Sequence, residues 1–259
     1  MSEDELRGLL AFAVGLAREA GEVTLRYFRR EFETRTKPNK TFVTQADVEA
    51  ENFLRRGISE KFPADAILGE EGGETNGSSG RRWILDPIDG TYSFVHGVPF
   101  YGVLVGLEIE GEPTLGVVVL PALGETVYAA KGLGCYLNGE PTHVSRTASL
   151  AESLVLATDF GSCERYGFGP AAEELQRRAG ARRTWGDCYG YVLVATGRAD
   201  IMFDPKVEVW DCAALLPVLE EAGGTFTDWG GRRTIHAGNA IATNGLLFDE
   251  VMSIIRQKQ

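Results

Sequence analysis

The chain has 259 residues, of which 44% are apolar and 24% charged, and it carries a net charge of −11. This is the composition of a globular protein with a real core. The acidic balance excludes a general binder of nucleic acid or membrane surface, which would repel it, and suits a protein that binds cations. Four scattered cysteines (Cys135, Cys163, Cys188, Cys212), without a CxxC or zinc-like spacing, point to a reducing, cytoplasmic setting rather than a disulfide framework. The acidic stretch MSEDELRGLL lacks the basic and apolar regions of a signal peptide. No apolar run approaches the ~20 residues of a membrane span.

Leu6, Leu10, Ala13, Ala17, Ala20 and Thr24 recur at three- and four-residue steps, which predicts a helix from 3 to about 31. TKPNKTFVT (36–44) breaks that pattern, and a second helix is expected over about 45–61, with Asp47 in its first turn. An acid there is favoured by the helix dipole, so Asp47 also reads as a helix starter. AILGEE and RRWILDP read as short buried strands joined by GGETNGSSG, a Gly- and Ser-rich surface loop. Then FYGVLVGLEIEGEPTLGVVVLP, GETVYAAKG and GCYLNGEPTHVS alternate in the manner of strands. Their EG and NG pairs mark the hairpins of an antiparallel meander. GLGC (132–135) reads as a further hairpin turn.

After about residue 150 strands and helices alternate. Helices are expected over 163–179, 187–197, 209–222 and 246–257, with strands at SLVLATDF, ARRTWG, ADIMF, GGTFTDW and AIATNG. A β-rich half (about 1–150) and an alternating half (about 151–259) predict two packed sheets with helices between and outside them, in one domain. Pro217 falls inside the 209–222 helix, where it would remove a backbone bond, so a kink or a short first turn is expected.

The chemistry concentrates in DPIDGT (86–91). Asp86 and Asp89 follow an apolar strand, a usual address for an active site in α/β proteins. Pro87 stiffens the turn, Gly90 permits close backbone approach, and a helix starting here would offer the N–H groups of Gly90 and Thr91 to an anion. Two carboxylates beside a phosphate site would repel the substrate unless a cation lies between them, and hard oxygen ligands select Mg²⁺. The plainer reading is a capped turn, because Asp-Pro and Asp-Gly are common loop pairs. Glu70 and Glu71 after one strand, and Asp211 at the start of a helix, each read alone as solvated or capping carboxylates, but their joint placement at element ends makes a multi-metal site plausible.

GEE (69–71), WILDPIDGTYSF (83–94) and WDCAALLPVLEEAGG (210–224), with TFVTQAD (41–47) upstream, resemble the signatures of the inositol monophosphatase family of Mg²⁺-dependent phosphatases, in the family's order and over almost the whole chain. The resemblance implies an α+β fold, a layered αβαβα sandwich, usually as a homodimer. It implies one metal on Glu70, Asp86 and the Ile88 carbonyl, a second on Asp86, Asp89 and Asp211, and a third, weaker one near Glu70. It further implies that Gly90 and Thr91 hold the phosphate. Asp47 would hydrogen-bond Thr91 and, with Glu70, orient the attacking water.

RRTWGDCYGY (182–191), Asp204 in DPKVEVWD, DGTYSF and ATNGLLFDE resemble the family's histidinol-phosphate phosphatase branch. That substrate carries an amine, which two carboxylates, Asp187 and Asp204, would bind by charge-assisted hydrogen bonds. Asp187 also reads as a helix N-cap and Asp204 as a turn residue, and both pairs of readings stay open. The expected activity is hydrolysis of histidinol phosphate. Inositol 1-phosphate or sugar phosphates are the enzymatic alternative, and a non-catalytic metal- or phosphate-binding protein is the remote one. His96, His143 and His236 have no ligand-like spacing.

Overall fold

Ser2 caps the first helix, α1 (Glu3–Leu25), in a reciprocal capping box with Glu5, and a stripe from Leu6 to Ala20 is buried along one face. The computed structural model describes residues 1–30, 34–36 and 42–258. Most of the Pro- and Asn-containing break expected over 36–44, and residue 31 of the first helix, lie outside them. The helix nevertheless ends at Leu25, short of the expected 31. The chain turns there so that Phe28 packs on Phe94 and Tyr101, and Arg29 takes a left-handed conformation (φ 57°) that no helix continues. Two short antiparallel strands follow, β1 (Thr34–Thr36) and β2 (Phe42–Thr44), then α2 (Gln45–Lys61), which has the expected bounds.

The first large sheet contains β3 (Ala66–Gly69), β4 (Gly73–Thr75) and β5 (Arg81–Asp89), then, after α3 (Thr91–Val95), the meander β6 (Gly102–Ile109), β7 (Glu112–Leu120), β8 (Glu125–Ala130), β9 (Gly134–Leu137) and β10 (Glu140–Pro141). Its order is β10-β9-β8-β7-β6-β5-β3-β4. Only β3 and β5 run parallel. The turns at Glu110–Gly111 and Asn138–Gly139 fall where the sequence places them. GGETNGSSG is not wholly a loop: β4, whose three residues are exposed, pairs with β3 as a short edge strand.

The second half supplies β11 (Leu154–Ala157), α4 (Phe160–Arg165), α5 (Gly169–Arg178), β12 (Ala181–Arg183), α6 (Asp187–Ala195), β13 (Ile201–Asp204), α7 (Val209–Ala213), α8 (Leu215–Glu221), β14 (Thr225–Thr227), β15 (Ala240–Thr243) and α9 (Phe248–Lys258). Its sheet order is β12-β11-β13-β15-β14. Two expected helices are each two. The 163–179 helix breaks between α4 and α5, where Pro170 opens the second piece. The 209–222 helix breaks at Ala214, which puts Pro217 in the first turn of α8, where its missing N–H would have had no partner in the helix anyway.

The layers follow from strand alternation. On β6 and β7, Val103, Val105, Leu107, Leu115, Val117 and Val119 pack against α1 and α2, while Leu104, Val118 and Leu120 face the other way. That inner face meets α6 and α8, which also cover the second sheet through residues such as Met202, Phe226 and Ala242. α5 and α9 pack on the outer side of the second sheet. The result is the αβαβα sandwich. α8 lies directly on the first sheet because Gly116 has no side chain: a methyl there would sit 1.9 Å from the Ala214 carbonyl oxygen. All four cysteines are buried and free. Among the described residues, no helix is long and apolar enough to cross a membrane.

Candidate active site

β3 and β5 are parallel, so their C-terminal ends lie side by side, and the Glu70 N–H donates to the Leu85 carbonyl (3.2 Å). This brings Glu70 level with Asp86. Asp86 pairs with Leu104 and Asp89 with Gly102, so three steps along β5 match two along β6. The extra residue is a β-bulge. In a regular strand, residues three apart point to opposite faces; the bulge turns Asp86 and Asp89 to the same one. Pro87 is tolerated within it because the ladder is already interrupted. Asp86 Oδ1 accepts the Ile88 N–H (3.0 Å), which closes the turn.

Asp211 arrives from the middle layer. Its Oδ2 accepts the Glu208 N–H (2.8 Å) in the capping box that starts α7. Carboxylate oxygens of Asp86, Asp89 and Asp211 lie within 4.8 Å of one another. Burial, then the charges of Glu70, Asp89 and Asp211, hold the Asp86 carboxyl well above the usual range. Burial with Asp187 and Asp211 does the same to Asp89. Burial raises Asp211 to about 7 against the opposing Glu208 N–H. Among the described residues no Lys or Arg pairs with these three acids. Like charges this close favour protons or a divalent cation, and the donor set, all hard oxygen, fits Mg²⁺.

Asp47, in the first turn of α2, is fully buried. Its Oδ2 accepts both the N–H (2.7 Å) and the hydroxyl (2.5 Å) of Thr44, while among the described residues the buried Oδ1 has no hydrogen-bond partner. Burial outweighs the Thr44 donors and pushes its carboxyl up to about 7, with the charges of Glu71 and Glu70 adding to the rise. The expected hydrogen bond from Thr91 to Asp47 is not made. The Thr91 hydroxyl instead donates to the Ile88 carbonyl (3.0 Å), the nearest acceptor across the turn. Gly90 caps α3 in the left-handed region (φ 82°), where a side chain would be strained and would press on the Phe100 carbonyl and the Asp187 carboxylate.

One cavity of about 660 Å³ is lined by Glu70, Asp86, Ile88, Asp89, Gly90, Thr91, Asp187 and Asp211. A second, of about 240 Å³, shares Asp89, Asp187 and Asp211 with it and continues to Thr158, Tyr191 and Asp204. The two form a chamber and its annexe. Gly186, not Asp187, is the N-cap of α6; Asp187 is the first helical residue, in a left-handed conformation (φ 51°). Its N–H donates to Thr158 Oγ1 (2.8 Å), and among the described residues no donor reaches its carboxylate, which burial raises to about 6. The Cys188 N–H donates to Asp89 Oδ2. Asp204 is buried, with Oδ1 accepting the Thr158 N–H (3.2 Å) and Oδ2 the Tyr191 hydroxyl (3.1 Å).

Residues 5–259 match the profile of the inositol monophosphatase family. The chain belongs to that family. Members of the inositol monophosphatase family are metal-dependent phosphatases, Mg²⁺ being typical, and this one is a phosphoric monoester hydrolase. It is 46% identical over 239 residues to the histidinol-phosphatase of Chlorobaculum parvum (90% of this chain, 91% of that one). It is 40% identical over 259 residues to the histidinol-phosphatase of Mycobacterium tuberculosis (98% of each). The structure of the inositol monophosphatase from Anabaena (Nostoc) sp. PCC 7120 superposes with a TM-score of 0.86 at 30% identity, covering 98% of both chains.

Two residues of this family member escape a reading of the sequence. Glu51 is buried, and its carboxylate accepts the N–H groups of Glu71 and Gly72 (both 2.7 Å) and the Arg55 Nε–H (2.7 Å), so it holds the turn that carries Glu70. Its signal was present as spacing: Asp47, Glu51 and Arg55 form one i, i+4 stripe on α2. Tyr191, on the buried face of α6, had none, since an aromatic there reads as core.

Proposed function

We propose that the chain hydrolyses L-histidinol phosphate to L-histidinol and phosphate with Mg²⁺ as cofactor. The observation that supports this is the junction of an acid cluster that has no cationic partner among the described residues and an annexe walled by Asp187 and Asp204. Glu70, Asp86, Asp89, Asp211 and the Ile88 carbonyl would hold two to three Mg²⁺, which when bound neutralise the carboxylates and activate the attacking water as Lewis acids. The N–H groups of Gly90 and Thr91 at the start of α3 receive the phosphate oxygens. Asp47, through its unclaimed Oδ1, and Glu70 orient the water that attacks phosphorus. Asp187, whose carboxylate has acceptor capacity to spare, takes the substrate ammonium by a charge-assisted hydrogen bond. Asp204, with both oxygens engaged, is the fixed acidic floor behind it. Inositol offers only hydroxyls and gains less from two carboxylates.

The test is kcat/KM with Mg²⁺ for histidinol phosphate, inositol 1-phosphate and fructose 1,6-bisphosphate. The expected preference for histidinol phosphate is about 10- to 100-fold, the range of one or two charge-assisted bonds. Equal or better turnover of inositol phosphate would overturn the substrate, and no Mg²⁺-stimulated phosphate release from any ester would overturn catalysis. Asp187→Ser should lower kcat/KM about 100-fold for histidinol phosphate and less than about tenfold for p-nitrophenyl phosphate, which lacks an amine. The family also implies a homodimer; we propose it on that ground alone, and light scattering in solution tests it.

A further inference from the structure

The two acids of the annexe come from different elements, Asp187 from the start of α6 and Asp204 from the end of β13. One residue touches both. Thr158, just beyond the end of β11, accepts the Asp187 N–H on its hydroxyl oxygen (2.8 Å) and donates its own N–H to Asp204 Oδ1 (3.2 Å). Asp187 is one of the few residues other than glycine in the left-handed region, a conformation that persists only where its surroundings hold it. Beside the Cys188 N–H bond to Asp89, those surroundings include Thr158. The chain before Asp187 is pressed so closely onto it that a methyl on Gly186 would lie 2.3 Å from the Thr158 Cα and 2.6 Å from its Oγ1.

We propose that Thr158 is a positioning residue for substrate selection: its hydroxyl oxygen fixes the left-handed turn that aims the Asp187 carboxylate into the annexe, while its N–H anchors Asp204, so that the two acids meet an ammonium group at a set spacing. This rests on the reading of Asp187 and Asp204 as the amine-binding pair. Thr158 reaches none of the acids of the metal cluster by a hydrogen bond, so its effect falls on the choice of substrate.

The measurement is the ratio of kcat/KM for histidinol phosphate to that for p-nitrophenyl phosphate. Thr158→Val keeps the shape and removes the acceptor; the ratio falls about tenfold, the effect of one hydrogen bond left unmade, and the loss appears in KM for histidinol phosphate. Thr158→Ser keeps the acceptor and keeps the ratio. In an Asp187→Ser background, Thr158→Val changes the ratio no further. Where the valine variant does not fold, Thr158→Ala replaces it with the same expectation. A ratio unchanged in T158V, or a drop in melting temperature without a change in ratio, overturns the inference while leaving the proposed function intact. A wild-type chain with no preference for the amine-bearing ester overturns both.

Discussion

Asp204 shows how a side chain can be fully hydrogen-bonded and still be unfavourably placed. It accepts from Thr158 and Tyr191, yet burial pushes its carboxyl up to about 7, with the charge of Asp187 adding to the rise. An aspartate in the unfolded chain titrates near 4, so the folded state holds this proton more tightly. The sign follows: the contribution to stability is complete below about pH 4 and is lost as pH rises through 7. In the metal-free protein, Asp204→Asn should therefore lessen the fall in Tm between pH 5 and pH 8, because the amide does not titrate. Thermal unfolding in EDTA across that range checks it; an unaltered slope would count against the burial argument. Single residues were legible where chemistry demanded a type, as with Asp86, Asp89 and Asp211. They were not where the backbone decides: nothing in GDCY announces that Asp187 takes φ 51°, or that its N–H is claimed by a threonine from the loop after β11.

At the scale of elements, α2 and α8 carry opposite lessons. The turn bearing Glu70 is tied to α2 by Glu51, which binds two of its backbone N–H groups. Glu51→Ala would leave those donors and Arg55 without their acceptor, a loss of about 2–4 kcal/mol. The expected outcome is a Tm lower by roughly 5–15 °C, at about 2–4 °C per kcal/mol for a chain of this size, together with a higher Mg²⁺ requirement. A Tm within a degree of wild type would mean the turn is held by other means. Pro217, by contrast, sits in the first turn of α8, so Pro217→Ala should change stability by less than about 1 kcal/mol, not the ~3 kcal/mol of a helix interior, as denaturant unfolding can measure. Periodicity located these helices but not their breaks, because each break is set by packing: α7 and α8 must separate for Ala214 to lie against Gly116.

Across the whole molecule, a β-rich half followed by a half of alternating strands and helices made the layered architecture legible before any coordinates. The relation of the two halves was not, since strand order and register depend on contacts far apart in sequence. The clustered acids set a further expectation. If Asp86, Asp89 and Asp211 hold Mg²⁺ as proposed, protons compete with it, so the rise in Tm on adding Mg²⁺ should grow from pH 5.5 to pH 8, reaching about 5–10 °C at 100 times the dissociation constant. A shift independent of pH would place the ion elsewhere. The first sheet and the turn after β3 supply Asp86, Asp89 and Glu70, and the middle layer supplies Asp211, so neither half of the chain holds the full set of proposed ligands. A chain still emerging from the ribosome, or one clipped between the sheets, therefore has no complete site to fill. An ion held across that seam resists the parting of the halves, and so lengthens the lifetime of the native state against proteases as well as shifting its equilibrium.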